Sequence, residues 1–147
     1  MYRHILVPVD GSGPSQMSAA AAIELAQALG AKLSVYHACE AIEAYYFEEG
    51  WAAAPDILNA LQAKVREHGE NLLAETKALA AEANVPCDTL LGQPVRPALG
   101  IIEEAEKHRC DLIVMGSKGH GALASLVLGS VTQKVLSLAK VPVLVIR

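Results

Sequence analysis

Five short runs of aliphatic and β-branched residues alternate along this chain with four longer segments of helical periodicity. Continuous apolar runs, in contrast to alternating ones, are typical of strands that are buried on both faces. Strands that alternate with helices favour a parallel sheet with helices on both of its faces. The predicted fold is therefore α/β: a doubly wound parallel sheet of five strands with four helices, in a single domain over residues 1–147.

Turn and capping residues place the boundaries of these elements. The first helix is expected to begin at Pro14 and to end at Gly30, where glycine suits a left-handed C-terminal cap. The predicted strands are Ile5–Val9, Lys32–Ala38, Pro86–Leu91, Asp111–Met115 and Val141–Arg147. The other helices are predicted at Asp56–Glu82, Pro94–Lys107 and Ser130–Ala139, and the apolar stripe of the longest, Ile57 to Leu79, is expected to face the core.

Charge and cysteine usage limit the classes of function. The formal net charge is −4, which argues against a nucleic-acid partner because that task needs clustered Lys and Arg. No apolar run approaches the length of a membrane span, and three cysteines without a CxxC spacing indicate neither a disulfide framework nor a zinc site. We expect a cytoplasmic protein. All sixteen acidic residues lie at or before Asp111, so the last quarter of the chain best tolerates an anion.

Two loops carry the turn chemistry of a ligand site. Residues 9–13, Val-Asp-Gly-Ser-Gly, follow the first strand, and residues 116–119, Gly-Ser-Lys-Gly, follow the fourth. In a doubly wound sheet, ligands bind beyond the carboxyl ends of the strands, where the strand order reverses. If the first and fourth strands are neighbours, both loops face one crevice.

The glycines of the second loop admit two interpretations. Gly116 and Gly119 would let backbone N–H groups approach a phosphate and would adopt positive φ without penalty, and a helix starting at Ser130 would present its positive end to an anion. Ser130 and Thr132 would add hydroxyl donors. Alternatively, the glycines only turn the chain and Ser130 only caps a helix. Their occurrence together in a segment without carboxylates favours the phosphate cradle, and His120 is either a phosphate contact or a solvated side chain.

The spacing Gly116-x2-Gly119-x9-Gly129-Ser130, the opening Ile-Leu-Val-Pro-Val-Asp10 and the closing Val-Pro-Val-Leu-Val-Ile146 resemble the ATP-binding branch of the universal stress protein family. The resemblance spans the whole chain. It implies the strand order 3-2-1-4-5 of a Rossmann-like fold of the adenine nucleotide alpha hydrolase type. It also implies ATP, with Mg²⁺ or Mn²⁺ held by the phosphates, and a nucleotide-dependent stress-response or signalling module.

Two other functions remain open. A slow ATPase, or a phosphoryl or nucleotidyl transfer enzyme, would use the same pocket, but no catalytic nucleophile and base are evident. An interaction scaffold with an empty pocket is disfavoured by the intact glycine spacing.

The resemblance also implies the roles of individual site residues. Asp10 would lie near the ribose or adenine, and Ala38, at the end of the second strand, would touch the base. Pro8 and Val9 would line the adenosine end, with Met115 beside the nucleoside. The phosphates would be surrounded by Gly116, Gly119, Gly129, Ser130, Val131 and Thr132.

Two surfaces are candidates for protein contacts. The last strand, Val141–Ile146, would lie at a sheet edge whose unpaired backbone groups invite antiparallel pairing with a second copy, as in the family. The connection after the second strand holds most of the aromatic residues, which indicate either a packing cluster or a mobile lid or partner surface. These residues are Tyr45, Tyr46, Phe47 and Trp51.

Overall fold

The structure is a computed structural model that describes residues 1–42, 55–118 and 127–147. Within these ranges, five parallel strands form one sheet and helices cover both of its faces. The strands are β1 (His4–Pro8), β2 (Lys32–Ala38), β3 (Cys87–Gly92), β4 (Leu112–Gly116) and β5 (Val143–Ile146). The helices are α1 (Gly13–Leu29), α2 (Pro55–Glu82), α3 (Pro97–Lys107) and α4 (Ser130–Leu138).

The strand order is β3-β2-β1-β4-β5, as predicted. The chain winds outward from β1 to β3, returns to the centre at β4 and then continues to β5 at the other edge. The order therefore reverses between β1 and β4, which pair in parallel with Ile5 opposite Leu112. This reversal leaves a crevice at the carboxyl ends of β1 and β4.

The sheet separates two hydrophobic cores, which explains the continuous apolar runs of the sequence. In β1, Ile5 and Val7 face a core built with α1 and α2, whereas Leu6 faces a core built with α3 and α4. All three side chains are fully buried. Because both faces of β1 are covered, its three buried positions are all apolar.

Local chemistry explains where two of the helices begin and end. α1 ends at Gly30, which has the predicted left-handed conformation with φ 64°. α3 begins at Pro97, three residues later than expected, because Arg96 is extended with φ −129° and ψ 115°. A residue that precedes proline is sterically disfavoured from helical geometry, so Arg96 cannot continue a helix begun at Pro94.

The prediction that the Ile57 to Leu79 stripe of α2 faces the core is wrong at both ends. Ile57 and Leu79 are 57% and 53% exposed. The buried positions of α2 are Gly69, Leu73, Thr76 and Ala80. At about 1.5 Å per residue, α2 is nearly twice as long as the strands that it covers, so its N-terminal half overruns the sheet.

The amino-terminal ends of the strands are joined by His4 and Asp111, far from the crevice. The Asp111 carboxylate accepts hydrogen bonds from the backbone N–H groups of Arg3 and His4 at 2.9–3.1 Å. The His4 ring contacts the Ser34 hydroxyl through Nε2 at 2.8 Å. Burial, followed by the Lys32 cation, lowers the pKa of His4. His4 is therefore held as a neutral ring near neutral pH.

Across residues 1–42, 55–118 and 127–147, no helix combines the length and hydropathy needed to cross a bilayer.

Candidate functional site

The crevice is bounded by the ends of β1 and β4 and by the first turn of α1. A Cβ atom placed on Gly116, the last residue of β4, would lie 2.9 Å from the carbonyl oxygen of Pro14. Real Cβ atoms essentially never approach other atoms so closely, so glycine is what allows α1 to lie against β4. The two loops singled out in the sequence are therefore neighbours in space.

The expectation of a positive φ at Gly116 is wrong. Gly116 is extended and pairs with Ile146 of β5, whereas the positive φ values among the described glycines are those of Gly11 and Gly30. Glycine is needed at position 116 because of the Pro14 backbone, not because of its own backbone conformation.

The loop between β1 and α1 is folded by its own side chains. The Asp10 carboxylate accepts hydrogen bonds from the N–H and hydroxyl of Ser12 at 2.9 and 2.5 Å, which closes an Asx turn. Gly11 follows with φ 81°, a conformation that favours glycine. Ser12 is then the N-cap of α1, and its hydroxyl accepts from the Ser15 N–H. Asp10 is thus held at the mouth of the crevice by the turn that it forms.

Hydrogen bonds at Gly116, Ser117 and Gly129 close the base of the loop between β4 and α4. The Ser117 carbonyl accepts from the Gly129 N–H at 2.8 Å, and the Ser117 N–H donates to the Ile146 carbonyl at 2.8 Å. The Thr132 hydroxyl donates to the Gly116 carbonyl at 2.9 Å. These bonds seat the first turn of α4 directly beyond the end of β4.

Thr132 lies in the first turn of α4, but its hydroxyl does not have the expected role of a donor to phosphate. Its side chain is 2% exposed, and its hydroxyl proton already bonds the Gly116 carbonyl. The hydroxyl therefore holds the framework together and is not available as a donor to a ligand. Ser130 is exposed at the start of α4, and Val131 is half-buried against the core beneath it.

The two helices that begin at the crevice differ at their N-termini. The first turn of α1 is capped by the Ser12 side chain and adjoins the Asp10 carboxylate. α4 follows Gly129, which as N-cap residue has no side chain to cap it, and its first turn holds no acidic residue. The first N–H groups of a helix lack intrahelical partners and carry partial positive charge. Of the two helix ends, that of α4 is the better suited to bind an anion.

The structure divides the expected nucleoside-lining residues between the two faces of the sheet. The Val9 side chain is 6% exposed in the core beneath α1 and α2. Met115, 5% exposed, and Ala38 belong to the core beneath α3 and α4. Pro8 is the last residue of β1 and is half-buried. These residues converge at one end of the sheet, but the Val9 side chain is turned into the core.

Several expected features lie outside the described residues. These are Gly119, His120 and the aromatic residues Tyr45, Tyr46, Phe47 and Trp51. In the part of the chain that the structure does describe, no group of three or more His, Cys, Asp or Glu residues could hold a metal ion.

Sequence reasoning missed two residues that shape the site, His37 and Ser15. His37 is 9% exposed, and its Nδ1 lies 2.7 Å from the Val9 carbonyl oxygen. The Ser15 hydroxyl accepts a hydrogen bond from the Asp10 N–H at 2.9 Å. A histidine at the end of a buried strand was a visible signal, but its partner, 28 residues earlier in the chain, was not.

Two ionisable side chains near the end of β2 are held in their neutral forms. Burial, followed by the nearby Glu104 carboxylate, raises the pKa of Tyr36 to about 12. Burial also raises the pKa of the Cys39 thiol. Neither group is therefore a ready nucleophile at neutral pH.

Comparison with known proteins identifies relatives along the full length of the chain. The profile of the Universal stress protein family matches residues 1–147. A universal stress protein of Thermus aquaticus is 41% identical over 147 residues, with all of both chains covered. The solved structure of universal stress protein UspA from Lactobacillus plantarum is 26% identical, has a TM-score of 0.79, and aligns over 99% of this chain and 98% of its own.

More distant structures of the same fold were solved with adenine nucleotides. A universal stress protein in complex with cAMP is 24% identical with a TM-score of 0.69, covering 99% of this chain and 97% of its own. The Archaeoglobus fulgidus protein in complex with dAMP is 23% identical with a TM-score of 0.67, covering 99% and 98%. An Arabidopsis thaliana family protein with AMP bound is 19% identical with a TM-score of 0.66, covering 98% and 90%. At these identities the similarity shows the shared fold.

Proposed function

The chain belongs to the universal stress protein family, and we propose that it binds an adenine nucleotide, ATP in the first instance, in the crevice between β1 and β4. In this arrangement the phosphates meet the N-terminus of α4 and the nucleoside lies towards Asp10 and the ends of β1 and β2. The bound nucleotide then sets the shape or partner choice of a stress-response or signalling module.

The observation that carries this proposal is the N-terminus of α4, whose N-cap residue is a glycine. Gly129 provides no capping side chain, the first turn lacks carboxylates, and the base of the preceding loop is hydrogen bonded to β4. A rigid set of N–H groups with partial positive charge is what a phosphate chain requires. The complexes of distant relatives with cAMP, dAMP and AMP support the same class of ligand. A Mg²⁺ or Mn²⁺ ion held by the phosphates would offset their remaining charge.

The first test uses the protein as purified. Denaturing it and identifying any released nucleotide separates an occupied pocket from an empty scaffold. Added ATP should stabilise the fold by about 2.7 kcal/mol at a hundredfold excess over its dissociation constant, which a melting shift would report. A time course of the bound nucleotide separates a binding module from a slow ATPase or transferase.

A matched pair of variants at Ser130 tests where the phosphates bind. Ser130→Asp places a carboxylate at the N-terminus of α4, which favours the free helix through its dipole but repels a phosphate. Ser130→Asn has nearly the same size without the charge. We expect the ATP-induced melting shift to disappear in Ser130→Asp and to persist in Ser130→Asn. Equal shifts in both variants would refute phosphate binding at this helix.

We also propose that the protein forms a homodimer through β5. This strand lies at an edge of the sheet, and Leu144 is 42% exposed. Leu136 and Leu138, on the neighbouring α4, are 42% and 48% exposed. Antiparallel pairing with a second copy would cover the strand edge and these leucines. Light scattering that gives a monomer mass at micromolar concentration would contradict the dimer.

The cytoplasm remains our proposed location. Cys39, Cys87 and Cys110 are free thiols in the structure, which suits a reducing compartment.

A further inference from the structure

The peptide unit between Val9 and Asp10 is held at both of its polar atoms by side chains from other elements. Its carbonyl oxygen lies 2.7 Å from Nδ1 of His37, at the end of β2. Because a carbonyl can only accept, Nδ1 carries the proton and donates it. Its N–H donates to the Ser15 hydroxyl of α1 at 2.9 Å. The plane of this peptide therefore cannot rotate without breaking one of two hydrogen bonds.

The His37 ring is itself fixed by α2. A Cβ atom placed on Gly69 would lie 2.6 Å from Cδ2 of His37 and 3.0 Å from Leu91, so glycine is what allows α2 to approach the ring. The ring is 9% exposed and fills the space between α2 and the end of β1. A donor held this firmly keeps the Val9 carbonyl in one orientation.

We propose that His37 and Ser15 are positioning residues for the nucleoside end of the site. They orient the Val9–Asp10 peptide, and this orientation fixes where the Asp10 carboxylate stands when the nucleotide binds. The inference rests on the proposed function, because it takes the nucleoside to lie beside Asp10. It assigns His37 a task in recognition in addition to packing, without contact between its ring and the ligand.

Two substitutions of His37 separate the effect of its hydrogen-bond donor from the effect of its ring volume. Asparagine places an amide N–H close to the position of Nδ1, whereas phenylalanine keeps a ring but has no donor. In ligand-free protein, we expect the Asp10 amide to exchange its hydrogen about fivefold faster in His37→Phe, the effect of losing one neutral hydrogen bond. His37→Asn should restore the slow exchange. The Leu33 amide, which donates to the Pro86 carbonyl within the sheet, is the internal reference.

Binding measurements then test the effect on the nucleotide. Calorimetry should show AMP bound about fivefold more weakly by His37→Phe than by wild type or His37→Asn. Inorganic tripolyphosphate, which offers only the phosphate portion, should bind all three proteins equally.

Serine variants provide a second test in case His37→Phe folds poorly. Ser15→Ala removes the acceptor of the Asp10 N–H. Ser18→Ala, one turn later in α1, removes a buried hydroxyl whose bond goes to the Ser15 carbonyl at 2.9 Å. AMP affinity should fall in Ser15→Ala and stay unchanged in Ser18→Ala.

The outcomes separate this inference from the proposed function. If AMP and tripolyphosphate both fail to bind wild-type protein, the proposed function and the recognition role of His37 both fall. If both ligands bind but all variants bind AMP equally, only the positioning role is refuted. Faster exchange at Asp10 and Leu33 alike would show a general loss of stability and would equally refute it.

Discussion

The two loops that border the crevice are held in opposite ways. The β1–α1 loop is fixed by side chains. Asp10 and Ser12 bond each other, and the side chains of His37 and Ser15 hold the Val9–Asp10 peptide. The β4–α4 loop is fixed at its base, chiefly by backbone groups: Ser117 bonds Gly129 on one side and Ile146 on the other.

This difference matches what each loop is proposed to bind. A nucleoside presents polar atoms in a defined pattern, and recognising it requires a few side chains in fixed positions. A phosphate chain presents repeated negative oxygens, which backbone N–H groups and a helix end satisfy without any particular side chain. Side chains therefore fix the proposed nucleoside end of the crevice, whereas chiefly backbone groups fix the proposed phosphate end.

The largest effect is expected from a substitution at the contact between the two loops. Gly116→Val would drive its side chain into the Pro14 backbone, 2.9 Å from the Cβ position. We expect the free energy of unfolding to fall by about 3 kcal/mol, measured by urea denaturation. Gly13→Ala is the control, because a Cβ atom there meets nothing within 4 Å, and its effect should stay within about 0.5 kcal/mol. Similar values for both variants would contradict the close approach.

A smaller effect is expected at the buried hydrogen bond between Thr132 and Gly116, at the base of the β4–α4 loop. Thr132→Val keeps the volume of a side chain that is 2% exposed but removes the proton donated to the Gly116 carbonyl. The free energy of unfolding should fall by about 1–2 kcal/mol, because a buried carbonyl loses its donor. Thr132→Ser retains the hydroxyl and should recover part of that loss. A serine variant as unstable as the valine variant would assign the role of Thr132 to its methyl group instead.

The smallest effect is expected from His4, at the amino-terminal ends of the strands. It tests whether the crevice is independent of that end of the sheet. Burial lowers the pKa of His4 in the folded state, so the unfolded chain binds more protons there. The contribution of His4 is present above the unfolded pKa of about 6.5 and is lost as pH falls towards the folded value. Urea midpoints measured from pH 7.5 to 5 should decline, and His4→Gln should flatten part of the decline.

Nucleotide affinity should not follow this titration. Parallel changes in affinity and stability through the same pH range would show that the two ends of the sheet are coupled.

Much of the fold could be predicted because burial on both faces leaves a plain signal in sequence. Ile5, Leu6 and Val7 are apolar without interruption since they serve two cores, and this pattern predicts a central parallel strand. The part of α2 that packs against the sheet was harder to predict. Apolar periodicity continues along the helix beyond the edge of the sheet, so Ile57 resembles a core residue although it is exposed.

In the candidate site, contacts between residues close in sequence could be predicted, whereas contacts between distant residues could not. Residues 10–12, Asp-Gly-Ser, indicate a turn because the bonding groups are two positions apart. The contact of Gly116 with Pro14 joins positions 102 residues apart, and that of His37 with Val9 joins positions 28 apart. No local pattern records such pairs, since they exist only once the strands are side by side.

The hydrogen bond between Ser117 and Gly129 has a consequence for how this chain tolerates change. It holds Ser117 and Gly129 together although eleven positions, 118–128, separate them in the sequence. The entropic cost of closing such a loop rises slowly with length, by about 0.6 kcal/mol for each doubling. Changes in the length of the 118–128 segment should therefore cost little stability, because the hydrogen bond between Ser117 and Gly129 holds its two ends together.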